Sequence, residues 1–420
     1  MEITMELKKK PVTGMKDILQ QEMDIRTYVM DLIRRTYTGF GFAQIETPCV
    51  EHIENLLSKQ GGDNEKLIFQ ILKRGDKLRL EEARSATDLV DSGLRYDLTV
   101  PLCRYYANNA AELPSPFKAL QMGSVWRADR PQRGRYRQFM QCDIDILGEA
   151  SGLAEVDLIL ATTTLLGKLD FRGFTIRIND RRILKAMAAH CGFPEESYDS
   201  VFITLDKMDK IGEDGVREEL IGSGFEEKAV DAYLALFRDR DETTGGVRRI
   251  KEVLGENLDA AYSDNLIRIM EQVQAAGTAD FRVAFDPTLV RGMSYYTGPI
   301  FEIAMDEYGG SVGGGGRYDE MIGKFTGQST PACGISIGFE RIVMLLLERG
   351  FTIPGAPGKK VYLLEKKLSH DRQLEIVTQA MRERESGMTV DLEIMKKNKK
   401  FQKEQLQAQG YTDIVEVFAD

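Results

Sequence analysis

Five arginines are concentrated in one short stretch of an acidic chain, and no lysine accompanies them. The stretch is WRADRPQRGRYRQFMQ, and it contains Arg127, Arg130, Arg133, Arg135 and Arg137. The whole chain carries a formal net charge of −10. A guanidinium binds phosphate or carboxylate through two parallel hydrogen bonds and can stack on a nucleobase. Because only Asp129 offers a negative charge nearby, the stretch favours an anion-binding loop; a solvated charged hairpin is the alternative.

Two further groups of polar residues have the spacing of one strand face. Asp97 and Thr99 in LRYDLTVP lie two positions apart, and so do the successive polar residues Gln141, Asp143 and Asp145 in QCDID. Alternate side chains of a strand point to the same face. A carboxylate beside a hydroxyl can hold an ammonium group. The alternatives are a helix N-cap at Asp97 and a solvent-facing edge for the second group.

Three later segments add candidate residues for anion binding. Arg291 in LVRGMSYYTG follows apolar residues, so it needs an anionic partner or ligand; a structural salt bridge is the alternative. The glycines of GGGGRYD permit close backbone approach to a ligand, but the spacing is neither that of a Walker loop nor that of a dinucleotide-binding loop. In GISIGFERIV, Glu340 and Arg341 fall at a predicted strand-to-helix transition, where they could face a phosphate.

The elements that must position these residues form an α+β pattern. A strand at 117–127 and a return strand at 139–148 flank the arginine loop, and the segments after them alternate between helix and strand. Other predicted elements are a helix at 17–40, a strand in FAQIETPCVE, a hairpin of 66–73 with 77–80, a helix at about 153–168, the strand FTIRIND, a charged helical stretch at 181–278, the strands FRVAFDP and YYTGPIFEIAMD, a linker at 351–358 and a small α/β unit at 359–420.

Composition limits the possible classes. Hydrophobic content of 42% and charged content of 29% are those of an ordinary globular protein, and the length fits two or three domains. The acidic balance argues against a general electrostatic grip on nucleic acid or membrane, although a local basic patch is allowed. No apolar run is long enough to predict a transmembrane helix. The five scattered cysteines predict no zinc site or disulfide framework, so a cytoplasmic location is expected.

In this order, the segments resemble histidyl-tRNA synthetases, a family of class II aminoacyl-tRNA synthetases, from about residue 10 to 350. The long helix with FAQIETP is similar to motif 1, whose proline, Pro48 here, is expected at the dimer interface; VWRADRPQRGRYRQFMQCDIDILG is similar to motif 2 and GISIGFERIV to motif 3. LVRGMSYYTG and GGGRYD are similar to the two histidine signatures. The resemblance implies a class II antiparallel sheet flanked by helices, with a helical insertion and a small C-terminal α/β domain. It divides the chain into a catalytic domain at 1–180 and 279–350, the insertion at 181–278, the linker at 351–358 and a partial anticodon-binding-like domain at 359–420.

The resemblance also implies a role for each candidate residue. Arg127 is expected at the α-phosphate of ATP and Arg341 at the γ-phosphate, with Arg135 as a further ATP-binding arginine. Arg291 is expected against the α-phosphate and the histidine carboxylate, in place of a catalytic metal. The expected histidine-binding residues are Asp97, Thr99, Tyr136, Gln141, Asp145, Arg291, Tyr295 and Tyr296. The loop residues expected to reach the acceptor end of tRNA are Arg130, Gln132 and Arg133.

The implied activity is ligation of L-histidine to tRNA(His) through histidyl-adenylate by a homodimer. ATP is the co-substrate, Mg²⁺ neutralises the outgoing pyrophosphate, and no metal site on the protein is expected. The chain departs from the family pattern at Met140, Met293 and Ser294, and its C-terminal unit is shorter than expected by at least a final helix and strand.

Two other functions fit parts of the pattern. One is the histidine-sensing regulatory subunit of ATP phosphoribosyltransferase, a non-catalytic relative of the same fold. The short C-terminal unit favours it, and the retained arginines Arg127, Arg135, Arg291 and Arg341 oppose it. The other is an adenylating enzyme that acts on something other than tRNA.

Overall fold

The computed structural model describes residues 7–57, 64–238, 241–290 and 295–419. It divides into two compact units. The larger one comprises the chain up to Ile18 together with Arg26–Glu348. The smaller one comprises Leu19–Ile25 and the chain from Arg349 onward.

The first part of the larger unit contains most of its strands. In chain order the elements are α1 Gln20–Gly39, β1 Ala43–Ile45, β2 Val50–His52, α2 Ile53–Leu57, β3 Gln70–Leu72, β4 Val90–Leu94, α3 Thr99–Asn109, β5 Phe117–Trp126, β6 Gln138–Leu147, α4 Leu153–Lys168 and β7 Phe174–Asp180. The first helix, α1, has residues in both units.

Six helices follow where the sequence predicted a helical stretch. They are α5 Arg181–His190, α6 Tyr198–Leu205, α7 Met208–Gly222, α8 Glu227–Ala235, α9 Thr244–Leu254 and α10 Ala260–Ala276. Asp180, Thr243 and Asp259 each cap the N-terminus of the helix that follows, because a side-chain oxygen accepts a backbone N–H of its first turn. The predicted helical character is confirmed.

The chain then returns to the sheet. The remaining elements of the larger unit are β8 Phe281–Phe285, β9 Pro299–Met305, β10 Gly310–Arg317, α11 Gly323–Thr326, β11 Ala332–Ile337 and α12 Phe339–Glu348.

An eight-stranded sheet organises the larger unit. Its strand order is β1-β5-β6-β11-β10-β9-β7-β8, and every pair is antiparallel except β1 with β5 and β7 with β8. Helix α4 is buried along most of its length, as a helix that is apolar nearly all round must be. A second sheet, β2-β4-β3, is small and antiparallel. The predicted α+β class with an antiparallel sheet flanked by helices is confirmed.

The smaller unit is a three-stranded parallel sheet with two helices. Its elements are β12 Lys359–Leu364, α13 His370–Glu385, β13 Thr389–Ile394, α14 Lys399–Ala408 and β14 Tyr411–Val417, with β12 in the centre. Val361 and Leu363 of β12 pack with Leu406 of α14, whereas Tyr362 and Leu364 pack with Ile376 of α13. Both faces of β12 are therefore covered, which explains its continuous apolar run.

Three local predictions were wrong. Residues 77–80 form no strand; β3 pairs instead with β4. FAQIETPCVE contains two short strands in different sheets, β1 and β2, rather than one. Asp97 lies between β4 and α3, and Thr99 is the first residue of α3, so the two do not share a strand. Within the described ranges, no helix is long and apolar enough to cross a membrane.

Candidate active site

A cavity of about 540 Å³ lies over β6, β10 and β11, the central strands of the large sheet. It brings together residues that are far apart in the sequence. Ten of the predicted site residues line it: Asp97, Thr99, Arg127, Arg135, Tyr136, Gln141, Asp145, Tyr295, Tyr296 and Arg341. Their proposed ligands remain predictions, but their convergence on one cavity is a property of the fold.

The floor of the cavity is built from alternate residues of β6. Gln141, Asp143 and Asp145 point to the same face because the side-chain period of a strand is two. Asp145 is paired in register with Gly334 of β11. A Cβ at Gly334 would lie 1.8 Å from Asp145 Oδ1, so only glycine leaves room for this carboxylate. The glycines at this sheet centre therefore make space for polar groups as well as for a ligand.

Three buried carboxyl groups line the cavity. Asp97, Asp143 and Asp145 are each at most 4% exposed. Burial raises the pKa of Asp145 to about 7, although the Tyr318 hydroxyl, which donates to Asp145 Oδ1 at 2.5 Å, opposes that rise. Burial also raises the pKa of Asp97, and it raises that of Asp143 well above the usual range with a further contribution from Asp145. A bound cation would favour the ionised forms of these carboxyl groups, so they are suited to bind one.

Two acceptor atoms here lack a hydrogen-bond partner in the described structure. They are Asp97 Oδ2 and Gln141 Oε1, both buried. The other oxygen of Asp97 accepts the backbone N–H of Val100 at 3.1 Å, so the N-cap role weighed for Asp97 is present as well. Buried acceptors without a partner are costly, and a bound donor such as an ammonium group would satisfy them.

Arg127 lies at the end of β5, where the arginine loop begins. Its Nε donates to the carbonyl oxygen of Tyr96 at 2.8 Å, and its guanidinium lies over the ring of Phe139 at 5.3 Å. Its backbone N–H donates to Arg137 O at 2.8 Å, which continues the β5–β6 hairpin. Two contacts thus hold the guanidinium against the cavity wall while other donor atoms remain for an anion.

Arg341 lies in the first turn of α12, after the strand β11. Its Nη1 donates to Ser311 O at 2.6 Å, and the ring of Tyr308 lies 5.3 Å from its guanidinium carbon. Its neighbour Glu340 is buried in a bidentate ion pair with Arg26, at 2.6 and 2.9 Å, and accepts the backbone N–H of Met140 at 3.0 Å. Glu340 therefore anchors the start of α12 to α1 and to β6.

Only part of the arginine loop lines the cavity. Gln132 and Arg135 exchange backbone hydrogen bonds of 3.1 and 2.9 Å, and Gly134 has φ +69°, a conformation that favours glycine in a turn. Arg133 forms an exposed ion pair with Glu348 of α12 at 2.6 Å. Arg130, Gln132 and Arg133 do not line the cavity, so the loop presents Arg127 and Arg135 inward and these three residues elsewhere.

Tyrosines form much of the remaining wall. Tyr295 packs edge-to-face on Tyr318 with 6.0 Å between ring centroids, and Tyr295 and Tyr296 contact each other. Tyr136 also lines the cavity, and the ammonium nitrogen of Lys16 lies 4.7 Å from the centroid of its ring. Arg291, the remaining predicted site residue, lies outside the described residues.

Further polar side chains line the cavity, among them Asp143, Tyr318, Ser336 and Glu340, each of which contacts a predicted site residue or its neighbour. Glu340, which the sequence suggested could face a phosphate, is paired with Arg26 instead. The alternation of β6 already placed Asp143 on the same face as Gln141. Tyr318 and Ser336 carried no such signal, because their positions depend on the pairing of β6 with β11 and on the strands beyond it.

Among residues 7–57, 64–238, 241–290 and 295–419, no group of three or more His, Cys, Asp or Glu side chains is placed to hold a metal ion. Both oxygens of Glu340 are bonded to Arg26, and one also accepts a backbone N–H.

Comparison with known proteins shows which family the chain is similar to. The histidyl-tRNA synthetase family profile matches residues 14–342. A histidine–tRNA ligase of Leifsonia xyli subsp. xyli is 50% identical over 345 residues, which cover 80% of this chain and 80% of that protein. A probable histidine–tRNA ligase of Tropheryma whipplei is 39% identical over 418 residues, covering 96% of this chain and 95% of that one.

The chain belongs to the histidyl-tRNA synthetase family. Its fold agrees with that membership. The crystal structure of histidyl-tRNA synthetase from Nostoc sp. PCC 7120 superposes with a TM-score of 0.81 at 27% identity, covering 99% of this chain and 93% of that one. A Bacillus halodurans C structure described as an ATP phosphoribosyltransferase regulatory subunit/histidyl-tRNA synthetase superposes with a TM-score of 0.79. At 20% identity, that second likeness shows only the fold. The architecture is that of class II aminoacyl-tRNA synthetases.

Proposed function

We propose that the protein ligates L-histidine to tRNA(His) in two steps, with histidyl-adenylate as the intermediate. The observation that carries this proposal is one cavity that combines buried acceptors with arginines. Asp97 and Gln141 each have a buried acceptor atom with no partner among the described residues, and Arg127, Arg135 and Arg341 line the same cavity. An amino acid has an ammonium group and a carboxylate, and ATP supplies further anionic groups. Such a cavity suits both substrates together.

The buried acceptors and the neighbouring carboxyl group would hold the α-ammonium of the amino acid. Asp97 Oδ2 and Gln141 Oε1 would accept hydrogen bonds from the α-ammonium, and Asp145 would add negative charge nearby. Thr99, Tyr136, Tyr295 and Tyr296 complete the proposed histidine-binding set. Buried polar groups matched to one ligand reject analogues that leave those groups unpaired, which would give selectivity for histidine.

The arginines would act on the first chemical step. An oxygen of the histidine carboxylate attacks the α-phosphorus of ATP, a P–O bond forms, and the bond to pyrophosphate breaks. Both reactants are anions, so positioning and charge neutralisation dominate catalysis. Arg127 is proposed at the α-phosphate and Arg341 at the γ-phosphate, with Arg135 and Arg291 as further anion-binding groups. In the second step the terminal ribose hydroxyl of tRNA attacks the carbonyl carbon, and AMP leaves.

Mg²⁺ enters this proposal only as part of the nucleotide. Magnesium in nucleotide sites is commonly held by phosphates with one or two carboxylates. Both oxygens of Glu340 already accept hydrogen bonds from Arg26, so Glu340 is not suited to bind a metal ion. No described residue is therefore assigned to Mg²⁺.

The arginine loop would contact tRNA on its outer side. Arg130, Gln132 and Arg133 lie outside the cavity and are exposed. Loops on a rigid sheet commonly carry binding residues. Arg133 would exchange its ion pair with Glu348 for a phosphate; an exposed pair contributes little to stability, so the exchange is not opposed.

The test is histidine-dependent exchange of labelled pyrophosphate into ATP without tRNA, followed by charging of tRNA(His) transcript. We expect exchange with histidine and not with the other amino acids, and then aminoacylation. The rival function is a histidine-binding regulatory subunit. Histidine binding in calorimetry without exchange would support that rival and overturn the ligase proposal.

A further inference from the structure

Asp143 lies between the proposed amino-group ligands but has not been given a role. It is buried and sits two residues from Gln141 on the same face of β6. Gln141 Nε2 lies 3.2 Å from Asp143 Oδ2 and 3.2 Å from Ser336 Oγ. The Ser336 hydroxyl in turn donates to Asp143 Oδ1. Asp143 and Ser336 face each other in the register of β6 and β11, so this arrangement is built into the sheet.

The consequence concerns the direction of one amide. A glutamine side chain has a donor NH₂ group and an acceptor oxygen, which occupy nearly equal volumes. Because Asp143 and Ser336 accept from Nε2, Oε1 must take the other position. That oxygen is buried and has no partner among the described residues, like Asp97 Oδ2. With the amide reversed, Gln141 would present N–H groups to a bound ammonium instead of an acceptor.

We propose that Asp143 is a positioning residue that orients the Gln141 amide so that its oxygen faces the α-ammonium of the amino acid. This inference rests on the proposed function and specifies how its amino-group site is set. Asp143 acts by accepting hydrogen bonds rather than by contributing charge.

The experiment compares two replacements in pyrophosphate exchange. Asp143→Val removes both acceptors with a side chain suited to a strand, whereas Asp143→Asn keeps one acceptor for Gln141 and removes the charge. We expect Asp143→Val to raise KM for histidine at least about tenfold, with kcat and KM for ATP changed less than about threefold. Asp143→Asn should stay within about threefold of the wild type in all three constants.

A double-mutant cycle with Gln141→Ala tests whether Asp143 acts through the glutamine. In that background Asp143→Val should change KM for histidine less than about twofold. Multiplicative effects of the two substitutions would overturn the proposal, because Asp143 would then act independently of Gln141. An Asp143→Asn loss as large as that of Asp143→Val would also overturn it, because the charge itself would then be required.

Folding and function are controlled separately. If Asp143→Val does not fold, Asp143→Ala replaces it, because it also removes both carboxylate acceptors of Gln141 Nε2; an unchanged KM for histidine would then overturn the proposal. Wild-type exchange is measured first. Its absence would overturn the ligase function itself, whereas normal wild-type exchange with an insensitive Asp143→Val would overturn only the role of Asp143.

Discussion

At the residue scale, the arginine loop separates two kinds of arginine. Arg127 lines the cavity and is held by Tyr96 O and the Phe139 ring, whereas Arg130 in the same loop is exposed and does not line it. Arg127→Ala should lower pyrophosphate exchange by about two to three orders of magnitude, the usual loss for one donor to a developing charge. Arg130→Ala is the matched control and should leave exchange unchanged. Normal exchange by Arg127→Ala would show that the phosphate-binding assignment is wrong.

Asp145 gives a prediction about pH and stability. Its pKa in the folded protein is about 7, raised mainly by burial, against an ordinary value of 3.8. Since the folded pKa lies above the unfolded one, the folded state loses stability as pH rises from about 4 to about 7. Asparagine cannot ionise, yet it keeps an oxygen for the Tyr318 hydroxyl. Without ligand, Asp145→Asn should therefore raise Tm more at pH 8 than at pH 5.

The expected size and control follow from the same reasoning. Between pH 5 and pH 7, ionisation at one site changes the free energy of unfolding by about 3 kcal/mol, which corresponds to several degrees in Tm. The nearby acids Asp97 and Asp143 add to this effect on stability, because removing the charge of Asp145 favours their ionised forms at high pH. Calorimetry should show that the same variant binds histidine poorly. A Tm difference that does not change with pH would contradict the prediction.

At the element scale, what could be predicted depends on how far apart the pairing residues lie. The strands β5 and β6 were predicted because their patterns are local, and the alternation along β6 placed Gln141 and Asp145 correctly. Asp97 and Thr99 do line the cavity, but from a turn and a helix start rather than from a strand. Ser336 and Tyr318 could not be placed, because that requires the register of strands nearly 200 residues apart in sequence.

The pairing of β6 with β11 also predicts an effect at Gly334. A Cβ there would lie 1.8 Å from Asp145 Oδ1 and 3.3 Å from Ile144 O, so Gly334→Ala must displace the carboxylate or the strand. We expect a loss of about 1–3 kcal/mol in the free energy of unfolding and a raised KM for histidine. Gly222, near the end of α7, has no atom within 4 Å of its added Cβ.

Gly222→Ala is therefore the control, with Tm unchanged or slightly higher. Urea unfolding of both variants checks the first expectation, and pyrophosphate exchange checks the second. Equal stabilities for the two alanine variants would show that the sheet centre accommodates the methyl group.

At the scale of the whole molecule, the segment similar to motif 1 is linked to the arginine loop through Arg95. This buried arginine donates through Nη1 to Thr47 O at 2.6 Å and through Nε to Ser124 O at 3.0 Å, and its own carbonyl accepts the Trp126 N–H at 3.0 Å. The next carbonyl, that of Tyr96, holds the guanidinium of Arg127. A displacement of the chain around Pro48 would therefore be transmitted to Arg127 through the contacts of Arg95 and Tyr96.

This connection gives a prediction about the proposed homodimer. Val50 follows Pro48 closely and is 47% exposed in the single chain, as expected of an apolar side chain beside the proposed interface. In a two-fold dimer each substitution occurs twice, and a buried unpaired carboxylate costs several kcal/mol. Val50→Glu should raise the dimer Kd at least about a hundredfold. Sedimentation equilibrium should show a wild-type mass near twice 47.3 kDa and a variant mass near the single-chain value.

Activity decides whether the link through Arg95 matters. If the motif 1 segment is held in place by the partner chain, then dissociation frees Thr47 and Pro48, and the support of Arg127 through Arg95 weakens. Exchange by Val50→Glu should then fall as the protein is diluted and recover at high concentration, where the dimer re-forms by mass action. Leu153→Glu, at a leucine that is 59% exposed at the start of α4, is the matched control and should leave mass and exchange unchanged. A fully active monomer would separate dimer formation from the positioning of Arg127, and the cavity would then be complete within one chain.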